Sequence, residues 1–437
     1  MKRRSFTSFE EMEKYLNDIP KFTSKHTIEE TRAFLKKMGN PDLEMKIIHV
    51  AGTNGKGSTC AYIASVIREA GYHVALFTSP HLVDVCERFN IDGMNISHEE
   101  FMESFMAVYD MLDWELPENE EGYHPTYFEY LFFMAMHSFS KARVEWCVLE
   151  TGLGGLLDAT NSVQKKEVAV IARIGLDHVE YLGNTLTEIA GQKAGIIAKG
   201  VPVVYNDYVP EASCVFEQSG EKLFPINAES VSICGKSSEK IDFFMVDGYY
   251  KNVSVSLHTN ALYQIENASL AIRAIEVAFE GERISAETLQ RGIEKCFWAG
   301  RMEEIVSGVF IDGAHNPDGI RAFLETVAAD DCSGKRSLLF GVVADKNYRG
   351  MIEMFVASGL FSEIVITPLQ TGRSADISVI SDVLVNDEKT ACIVAGDAFS
   401  GLKAMIAKRS ECGDENDRIY VAGSLYLVGE IKKAFGA

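Results

Sequence analysis

A glycine-rich segment with one lysine and two hydroxyl residues carries the strongest chemical signal in the sequence. It reads Gly52-Thr53-Asn54-Gly55-Lys56-Gly57-Ser58-Thr59. It follows a short apolar run and precedes a helical pattern. Glycines let backbone N–H groups approach phosphate oxygens, and the start of a helix adds a positive end that favours anions. We therefore expect these eight residues to bind nucleotide phosphates, with Lys56 reaching the terminal oxygens.

The spacing of this loop differs from the common phosphate-binding pattern GxxxxGK[ST]. Val50 stands at the first glycine position of that pattern, and Gly57 separates Lys56 from Ser58. A glycine turn with a purely structural role is the alternative interpretation. The predicted strand before the loop and the predicted helix after it favour the phosphate site.

Three further polar side chains stand where predicted strands end. Ser79 follows the run His73–Thr78, Glu150 follows Val144–Leu149, and His178 comes after Val168–Ala172. Open α/β sheets bind their ligands at the carboxyl ends of the strands, so we expect the three side chains to share that edge. Hard oxygen ligands suit magnesium. Taken alone, Glu150 could equally form a salt bridge within a loop, and His178 could be a histidine with a purely structural role.

Apolar runs alternate with helical patterns along the first two thirds of the chain. Strands are predicted at Lys46–Val50, His73–Thr78, Val144–Leu149, Val168–Ala172 and Val201–Tyr205, and helices at Ser58–Ala70, Glu99–Leu112, Thr126–Phe139, Thr185–Ala198, Gln264–Phe279 and Ser285–Cys296. This alternation predicts an α/β fold with a mostly parallel sheet covered by helices on both faces. Short strands at Ile241–Val246 and Val253–Leu257 predict a small antiparallel patch at its edge.

A second α/β unit is predicted beyond residue 297. Its strands are expected at Val309–Asp312, Ser337–Val343, Glu363–Thr367, Ala391–Ala395 and Arg418–Ala422. We expect residues 1–297 to form a P-loop-type nucleotide-binding domain. Residues 298–437 should form a smaller, Rossmann-like doubly wound domain whose strand ends face the first domain.

The composition excludes several classes of protein. The 437 residues include 42 Lys and Arg against 63 Asp and Glu, a net charge of −21, which argues against a nucleic-acid-coating protein. The longest apolar runs are shorter than the roughly 18–20 residues of a membrane span, and the basic start lacks the apolar core of a signal peptide. Nine scattered cysteines without a CxxC spacing fit reduced thiols better than disulfides or a zinc site. We expect a cytoplasmic protein without nucleic-acid or membrane partners.

Eight further strings occur in chain order after the glycine-rich loop. They are TSPHL at Thr78–Leu82, ERFNIDGMNIS at Glu87–Ser97, TYFEY at Thr126–Tyr130, ETGLGGLLDATN at Glu150–Asn161, IGLDHVEYLGNTLTEIAGQKAGI at Ile174–Ile196, GRME at Gly300–Glu303, IDGAHNPDGI at Ile311–Ile320 and GSLYLVGE at Gly423–Glu430. Together with GTNGKGST they resemble the Mur-ligase superfamily, and within it the folylpolyglutamate synthase/dihydrofolate synthase branch. The strings are spread across almost the whole chain.

The resemblance implies an ATP- and Mg²⁺-dependent amide ligase of folate biosynthesis and one-carbon metabolism. Such an enzyme adds L-glutamate to tetrahydrofolate, and in bifunctional members also to dihydropteroate, through an acyl phosphate. A carboxylate that approaches a triphosphate meets a repulsion on the order of 4 kcal/mol per charge pair at 4 Å. Two magnesium ions and Lys56 are expected to offset it, with a monovalent cation as an optional addition. We expect a monomer.

The resemblance also implies the metal ligands. Ser79 and Glu150 would hold a first magnesium ion, and Glu150 and His178 a second. Lys193 matches a lysine that carries a carbamate in this family, which replaces a cation beside the metals by an anion. An unmodified Lys193 paired with Glu188 is the alternative. The implied catalytic set is Lys56, Glu150, His178 and Lys193.

Substrate contacts are implied in both predicted domains. The nucleotide would contact the eight loop residues, Asn267 at the adenine, Arg301 at the phosphates and Asp312 at the ribose; the pterin-bearing substrate would contact Thr126, Tyr127, Phe128, Glu129, Leu157, Asp158 and Ala159; the incoming glutamate would contact His315 and Ser424. For most of the aromatic residues, packing in the core of one helix is the alternative. For Asp312 and His315 the alternative is a cap between a strand and a helix.

Two departures from the family pattern and two rival functions remain open. Ala299 stands where the family has proline, and Ala261–Ala268 keeps Gln264 and Asn267 of the usual GxHQxxNA run but lacks its Gly and His. A cell-wall ligase acting on a UDP-sugar peptide would need a UDP-binding domain where 51 residues precede Gly52. An NTPase switch would release phosphate without forming an amide.

Overall fold

The computed structural model describes residues 3–19, 26–114, 123–384, 390–412 and 416–436. Within these ranges the strands form an eight-stranded, a three-stranded and a six-stranded sheet. None of the helices described combines the length and the apolar composition that a membrane crossing needs.

The eight-stranded sheet is parallel except at one edge. Its strands are β1 Lys46–Ala51, β2 Val74–Phe77, β3 Phe89–Ile91, β4 Met94–Asn95, β5 Trp146–Glu150, β6 Val168–Ile171, β7 Val203–Asn206 and β8 Leu223–Ile226. They lie in the order β4-β3-β2-β5-β1-β6-β7-β8, with β3 and β4 antiparallel to their neighbours. Because β5, β1 and β6 are adjacent, the segments that leave their carboxyl ends meet at one place.

Helices cover both faces of this sheet. They are α1 Phe9–Asp18, α2 Ile28–Lys37, α3 Lys56–Glu69, α4 His98–Asp110, α5 Tyr127–Ala142, α6 Val179–Leu182, α7 Leu186–Ala194, α8 Pro210–Glu217, α9 Tyr263–Ala278 and α10 Ala286–Glu294. Short 3-10 turns span Pro41–Leu43, Val85–Arg88, Ala159–Ser162 and Ala228–Ser230. Residues of α1, α2, α4 and α5 share one buried cluster, and residues of α3, α9 and α10 share another with the opposite faces of the same strands.

The small sheet is antiparallel, as the sequence predicts. Its strands are β9 Val231–Lys236, β10 Ile241–Met245 and β11 Ser254–Leu257, in the order β11-β10-β9. Alternate residues of β10 are buried with the core of α3 and α9. The patch therefore extends the first core.

The six-stranded sheet forms the second α/β unit. Its strands are β12 Glu303–Val306, β13 Val309–Ile311, β14 Arg336–Phe340, β15 Glu363–Ile366, β16 Ala391–Val394 and β17 Arg418–Ala422, and its helices are α11 Pro317–Ala328, α12 Tyr348–Ser358, α13 Ile377–Leu384, α14 Ala398–Cys412 and α15 Leu425–Phe435. The order is β12-β13-β17-β14-β15-β16, and only β12 runs antiparallel. This doubly wound arrangement confirms the predicted fold class.

The sequence prediction missed five strands and misjudged one helix. Strands β3, β4, β8, β9 and β12 were not predicted, and all of them except the six-residue β9 have four residues or fewer, too few for a clear pattern. The predicted helix Thr185–Ala198 ends at Ala194, and a separate short helix, Val179–Leu182, precedes it. The domain boundary after residue 297 stays a prediction.

Candidate active site

A cavity of about 790 Å³ lies between the two large sheets. Its walls come from the segments that follow β1, β2, β5 and β6 on one side. The segments that follow β13, β14 and β17 form the other side. The carboxyl ends of both parallel sheets therefore meet there, as expected for a ligand site in open α/β folds.

The glycine-rich loop forms one wall of the cavity. Strand β1 ends at Ala51 and helix α3 begins at Lys56, with Gly55 at φ +84° between them. A side chain at Gly55 would put a Cβ atom 2.1 Å from Oδ1 of Asn267, so both the backbone angle and the close approach require glycine. Residues 52–58 all line the cavity. The start of α3 thus faces the open space where an anion would sit.

Thr59 is placed differently from the rest of the loop. It is fully buried in α3, and its hydroxyl has no hydrogen-bond partner in the structure. It does not line the cavity. The structure therefore leaves Thr59 out of the group that the sequence predicted to surround the phosphates, because the helix has turned its side chain towards the core by that residue.

Glu150 is a buried carboxylate at the cavity floor. One oxygen accepts a hydrogen bond from the backbone N–H of Ser79 at 3.0 Å, and the other lies 3.8 Å from Nζ of Lys56. Burial raises the pKa of Glu150, and the charges of Lys56 and Arg301 oppose that effect. A buried carboxylate with one N–H donor and one lysine has room for a further cation, and its oxygens are ligands that magnesium prefers.

His178 lines the same cavity as Ser79 and Glu150. It precedes helix α6 in the left-handed region, at φ +50°. Burial lowers the pKa of His178 to about 4, so the imidazole is neutral at pH 7. Neutral imidazole is the form that binds metals. The structure therefore brings the three predicted metal ligands to one cavity.

Lys193 is almost completely buried in α7, and it also lines the cavity. Its Nζ atom donates a hydrogen bond to the carbonyl oxygen of Gly52 at 2.7 Å. The Glu188 carboxylate accepts hydrogen bonds from the backbone N–H groups of Asn184 and Thr185, at 2.8 and 3.1 Å. Glu188 thus caps the start of α7, while Lys193 touches the glycine-rich loop.

Arg301 and Asp312 lie side by side on the second unit. Arg301 lines the cavity and, among the residues described, forms no ion pair with a carboxylate within 4.0 Å. Asp312 is buried and accepts hydrogen bonds from the N–H groups of Met302 and Ala314, at 3.0 and 2.8 Å, and from the Tyr263 hydroxyl. Burial raises the pKa of Asp312 despite the nearby Arg301 charge. Asp312 therefore fixes the backbone beside a cation that faces the cavity.

Glu129 and Thr126 form a capping box at the start of α5. The Glu129 carboxylate accepts a hydrogen bond from the Thr126 N–H at 2.8 Å and another from Nδ1 of His26 at 2.8 Å. Both residues line the cavity, as do Tyr127 and Phe128. The Glu129 carboxylate already has hydrogen-bond partners inside the protein. The cavity beside these residues is therefore bounded mainly by the aromatic rings of Tyr127 and Phe128 and by the backbone.

Asp158 is also engaged inside the protein. Its carboxylate accepts hydrogen bonds from the Leu153 N–H at 2.8 Å and from the N–H and hydroxyl of Thr160. It closes the loop that follows β5. Leu157 lines the cavity and is 53% exposed, and the buried Ala159 also lines the cavity. These three residues shape one wall.

His315 and Ser424 reach the cavity from the second unit. Nδ1 of His315 lies 2.7 Å from the carbonyl oxygen of Gly313 and therefore carries a proton. The Ser424 side chain accepts a hydrogen bond from the Tyr426 N–H at 3.1 Å and begins helix α15. The position of His315 agrees with the turn cap that the sequence left open as its alternative, Ser424 caps a helix, and both residues also line the cavity.

An ionic cluster centred on Asp177 was not predicted from the sequence. Its carboxylate forms an ion pair with Lys346, lies 3.5 Å from Nε2 of His315, and accepts a hydrogen bond from Nδ2 of Asn316 at 3.1 Å. Burial alone would raise the pKa of Asp177, but His315 and Lys346 hold it well below its usual range. Two signals were present: Asp177 directly precedes His178, and Lys346 follows a strand of the second sheet.

Arg88 is a second site residue that the sequence prediction missed. It is buried at the cavity, its Nε atom donates to Nδ1 of His81 at 2.9 Å, and its guanidinium lies 5.7 Å from the centre of the Tyr127 ring. Its position inside the string ERFNIDGMNIS was the available signal. Arg88 adds a positive charge to the side of the cavity lined by Tyr127.

Two family models match the chain in sequence order. The Mur ligase middle domain matches residues 50–275, and the Mur ligase glutamate ligase domain matches residues 300–425. The first range alone covers more than half of the chain. The predicted boundary after residue 297 falls between the two ranges.

Full-length relatives agree with these matches. A dihydrofolate synthase/folylpolyglutamate synthase from Bacillus subtilis is 32% identical over 98% of this chain and 99% of its own length. Among solved structures, E. coli FolC in complex with DHPP and ADP superposes with a TM-score of 0.83 at 25% identity, over 98% of both chains. Mycobacterium tuberculosis folylpolyglutamate synthase with ADP and AMPPCP gives a TM-score of 0.85 at 25% identity, again over 98% of both chains. This chain belongs to the folylpolyglutamate synthase/dihydrofolate synthase family of Mur-type, ATP-dependent ligases.

Proposed function

We propose that the chain is an ATP-dependent ligase that joins L-glutamate to tetrahydrofolate, and in a second activity to dihydropteroate. One observation carries the proposal: a single cavity collects the glycine-rich loop and Glu150 from the first unit and Arg301 and His315 from the second. A ligation that passes through an acyl phosphate needs nucleotide, acid and amine in one closed space. The Bacillus subtilis relative carries both activities in its name.

ATP would lie along the glycine-rich loop. Lys56 and Arg301 would face its phosphates, and Asn267, which touches Gly55, would contact the adenine. Asp312 would contact the ribose with the lone-pair position left after its three internal hydrogen bonds, because an ionised carboxylate offers about four such positions. The nucleotide complexes of related structures support this placement.

The residues at the cavity floor fit magnesium. Glu150 is a buried carboxylate with incomplete charge compensation, and the neutral His178 and the Ser79 hydroxyl would complete the ligand set. We assign Ser79 and Glu150 to one ion and Glu150 and His178 to a second; no residue is assigned to a monovalent cation. Bound magnesium would reduce the repulsion between the carboxylate substrate and the phosphates.

The reaction would proceed in two displacements. A folate carboxylate oxygen attacks the γ-phosphorus of ATP, the bond to ADP breaks, and an acyl phosphate forms. The α-amine of glutamate then attacks the acyl carbon, and the tetrahedral intermediate expels phosphate and loses a proton to form the amide. Lys56 and Arg301 would stabilise the charge that develops on the transferred group. The two units of the protein would exclude water that hydrolyses the acyl phosphate.

The two remaining substrates would lie on opposite sides of the reacting centre. Tyr127, Phe128 and Leu157 offer apolar surface for the flat pterin, while Thr126, Glu129, Asp158 and Ala159 hold the segments that frame it. L-glutamate would lie near His315 and Ser424. Lys346, now paired with Asp177, adds the cation that a dicarboxylate needs.

We propose that Lys193 carries a carbamate in the active enzyme. A carbamate keeps one N–H on Nζ, which the Gly52 carbonyl can still accept, and it places a negative charge beside the magnesium ligands. Because carbamates are lost in acid, electron density at Nζ in a crystal grown with magnesium and bicarbonate is the test. A bare ammonium group under those conditions would refute it.

We further propose that the protein works as a monomer in the cytoplasm, without nucleic-acid or membrane partners. Its net charge of −21 opposes binding to nucleic acid. Light scattering coupled to size-exclusion chromatography tests the oligomeric state. A dimer at micromolar concentration would contradict the proposal.

The decisive experiment follows ADP and product formation with each folate separately. Purified protein is incubated with ATP, magnesium, and either tetrahydrofolate or dihydropteroate, with and without L-glutamate. Ligation predicts ADP release that requires glutamate, together with a product heavier by one glutamate residue. ADP release without glutamate would indicate an NTPase switch. Activity confined to a UDP-sugar peptide would indicate a cell-wall ligase.

A further inference from the structure

A carboxylate, a thiol and an imidazole lie close together where the connection between β2 and β3 meets the start of α4. Asp84 precedes the turn Val85–Arg88, Cys86 lies inside that turn, and His98 is the first residue of α4. Ligand atoms of the three side chains all lie within 4.8 Å of one another. In the described parts of the chain, no other three His, Cys, Asp or Glu side chains meet that spacing.

We propose that Asp84, Cys86 and His98 bind a zinc ion, with water in the fourth position. Zinc binds sulfur, nitrogen and oxygen ligands at roughly 2.0–2.3 Å in a tetrahedron, which places the ligand atoms roughly 3.3–3.7 Å apart. At present Nε2 of His98 lies 2.8 Å from a carboxylate oxygen of Asp84. The ion would replace this hydrogen bond, and the two atoms would separate by less than about 1 Å. The thiolate ligand excludes magnesium, because magnesium requires oxygen ligands.

The surroundings of the three side chains favour a cation. The ring of Phe9 stacks on His98 at 3.7 Å and 5°, which holds the imidazole plane in one orientation. Glu13 on α1 lies near enough to Asp84 for the two carboxylates to repel each other. A divalent ion would relieve the repulsion between these two carboxylates.

The protons balance in a simple way. The free protein carries a thiol at the buried Cys86. Zinc displaces that proton to solvent and binds the thiolate, and the imidazole of His98 binds the metal through Nε2 with its one remaining proton on Nδ1. Asp84 stays ionised and keeps its second oxygen on the Cys86 N–H at 2.8 Å.

The site would stabilise a segment that borders the cavity. Glu87, in the same turn, accepts hydrogen bonds from the N–H groups of Leu82, Val83 and Asp84, at 2.7, 2.8 and 2.8 Å. The residues from 79 to 82 and Arg88 line the cavity. Zinc would therefore tie α4 and this turn together and stiffen one wall of the active site, without taking part in the ligation.

Cobalt(II) tests the proposal because a cobalt–thiolate bond gives a charge-transfer absorption that oxygen ligands do not give. The reduced full-length protein, stripped with a chelator, is titrated with cobalt(II) alone. We expect this band to saturate at one equivalent and to disappear when zinc is added. Cys86→Ser should abolish the band. His98→Gln should weaken cobalt binding by more than about 100-fold, beyond the cost of changing an outer-shell partner.

The chain offers two matched controls. His73 pairs with Asp92 at 2.9 Å and so repeats the histidine–aspartate pair outside the proposed site, and Cys234 is an exposed cysteine elsewhere. His73→Gln and Cys234→Ser should both keep the band. Absence of the band in the wild type, or its survival in Cys86→Ser, would overturn the proposal. If Cys86→Ser does not fold, unchanged binding in the exposed His98→Gln variant would overturn it equally.

Discussion

The side of the cavity proposed for the nucleotide and the side proposed for the pterin both contain buried acidic residues, yet these residues have opposite surroundings. On the nucleotide side, Glu150 receives one backbone N–H and lies 3.8 Å from a lysine, while Arg301 faces open space. On the pterin side, Glu129 and Asp158 accept hydrogen bonds from neighbouring backbone and side-chain groups. Charges without full compensation mark the places where ligands complete the site. Carboxylates with several hydrogen-bond partners inside the protein instead hold the conformation of the loops around the cavity.

The largest expected effect is the loss of catalysis in Glu150→Gln. The amide cannot hold a divalent cation with the same strength, so kcat should fall by about 10³-fold or more. Removing a buried charge should leave the urea midpoint of the ligand-free protein unchanged or higher. Steady-state kinetics and urea unfolding measure the two quantities.

The control for this change is Glu188→Gln, which alters a glutamate that caps α7 away from the cavity. It should keep wild-type kcat. Activity of Glu150→Gln within tenfold of the wild type would show that the buried carboxylate is not needed for the reaction. The contrast between the two sides of the cavity would then fail.

The next effect concerns binding of the amino acid. Lys346→Met removes the cation that Asp177 now holds and that we expect glutamate to use, so KM for glutamate should rise by about 10–100-fold. KM for ATP should change little. Lys408→Met is the control, because Lys408 pairs with Glu363 outside the cavity. An equal rise in both KM values would indicate a general loss of the contact between the two units.

A smaller effect is expected from Asp158→Asn. The amide loses the charge that accepts hydrogen bonds from Leu153 and Thr160, so the free energy of unfolding should fall by about 1–3 kcal/mol. KM for the folate should rise several-fold as the loop loosens. A rise in folate KM with unchanged stability would instead make Asp158 a direct ligand, as the family resemblance implies. Urea unfolding together with folate kinetics separates the two roles.

The sequence predicts the parts of the fold that repeat a pattern. The long central strands and amphipathic helices follow from the spacing of apolar residues, and the phosphate loop from its glycines and Lys56. Strands β4 and β12 were missed because two to four residues that lie at a sheet edge carry no clear alternation. The local pattern of apolar residues predicts the long strands and helices, whereas the edge strands depend on pairing with a neighbouring strand.

For the site, sequence motifs identify residues but cannot show which hydrogen bonds those residues make inside the protein. Motif position alone gave Glu150 and Asp158 equal standing, and only the structure shows that Asp158 is committed to Leu153 and Thr160. Asp177 escaped notice because its partners, Lys346 and Asn316, lie far along the chain. Long-range pairing of this kind depends on how the two units meet.

The smallest effect tests the network behind Asp158 through its pH dependence. The Thr160 hydroxyl donates to Asp158, so it accepts a hydrogen bond from the Nε2–H group of the fully buried His49 at 2.8 Å, and Nδ1 of His49 has no partner in the structure. Burial therefore lowers the pKa of His49 well below 6.5. Below the ordinary pKa of histidine, the unfolded chain binds a proton at His49 that the folded protein does not bind. The free energy of unfolding therefore falls as the pH falls. The contribution is at most about 1.4 kcal/mol per pH unit for one group.

Urea unfolding between pH 7.5 and pH 5 measures this slope in the wild type and in His49→Gln, which keeps a side chain that can donate to Thr160 but cannot titrate. We expect a shallower slope in the variant, whatever its absolute stability. Identical slopes would mean that His49 protonates equally in both states, which its buried Nδ1 does not permit. A shallower slope in the variant would assign this pH dependence to His49, which lies behind Asp158 and Thr160 and whose buried Nδ1 has no hydrogen-bond partner.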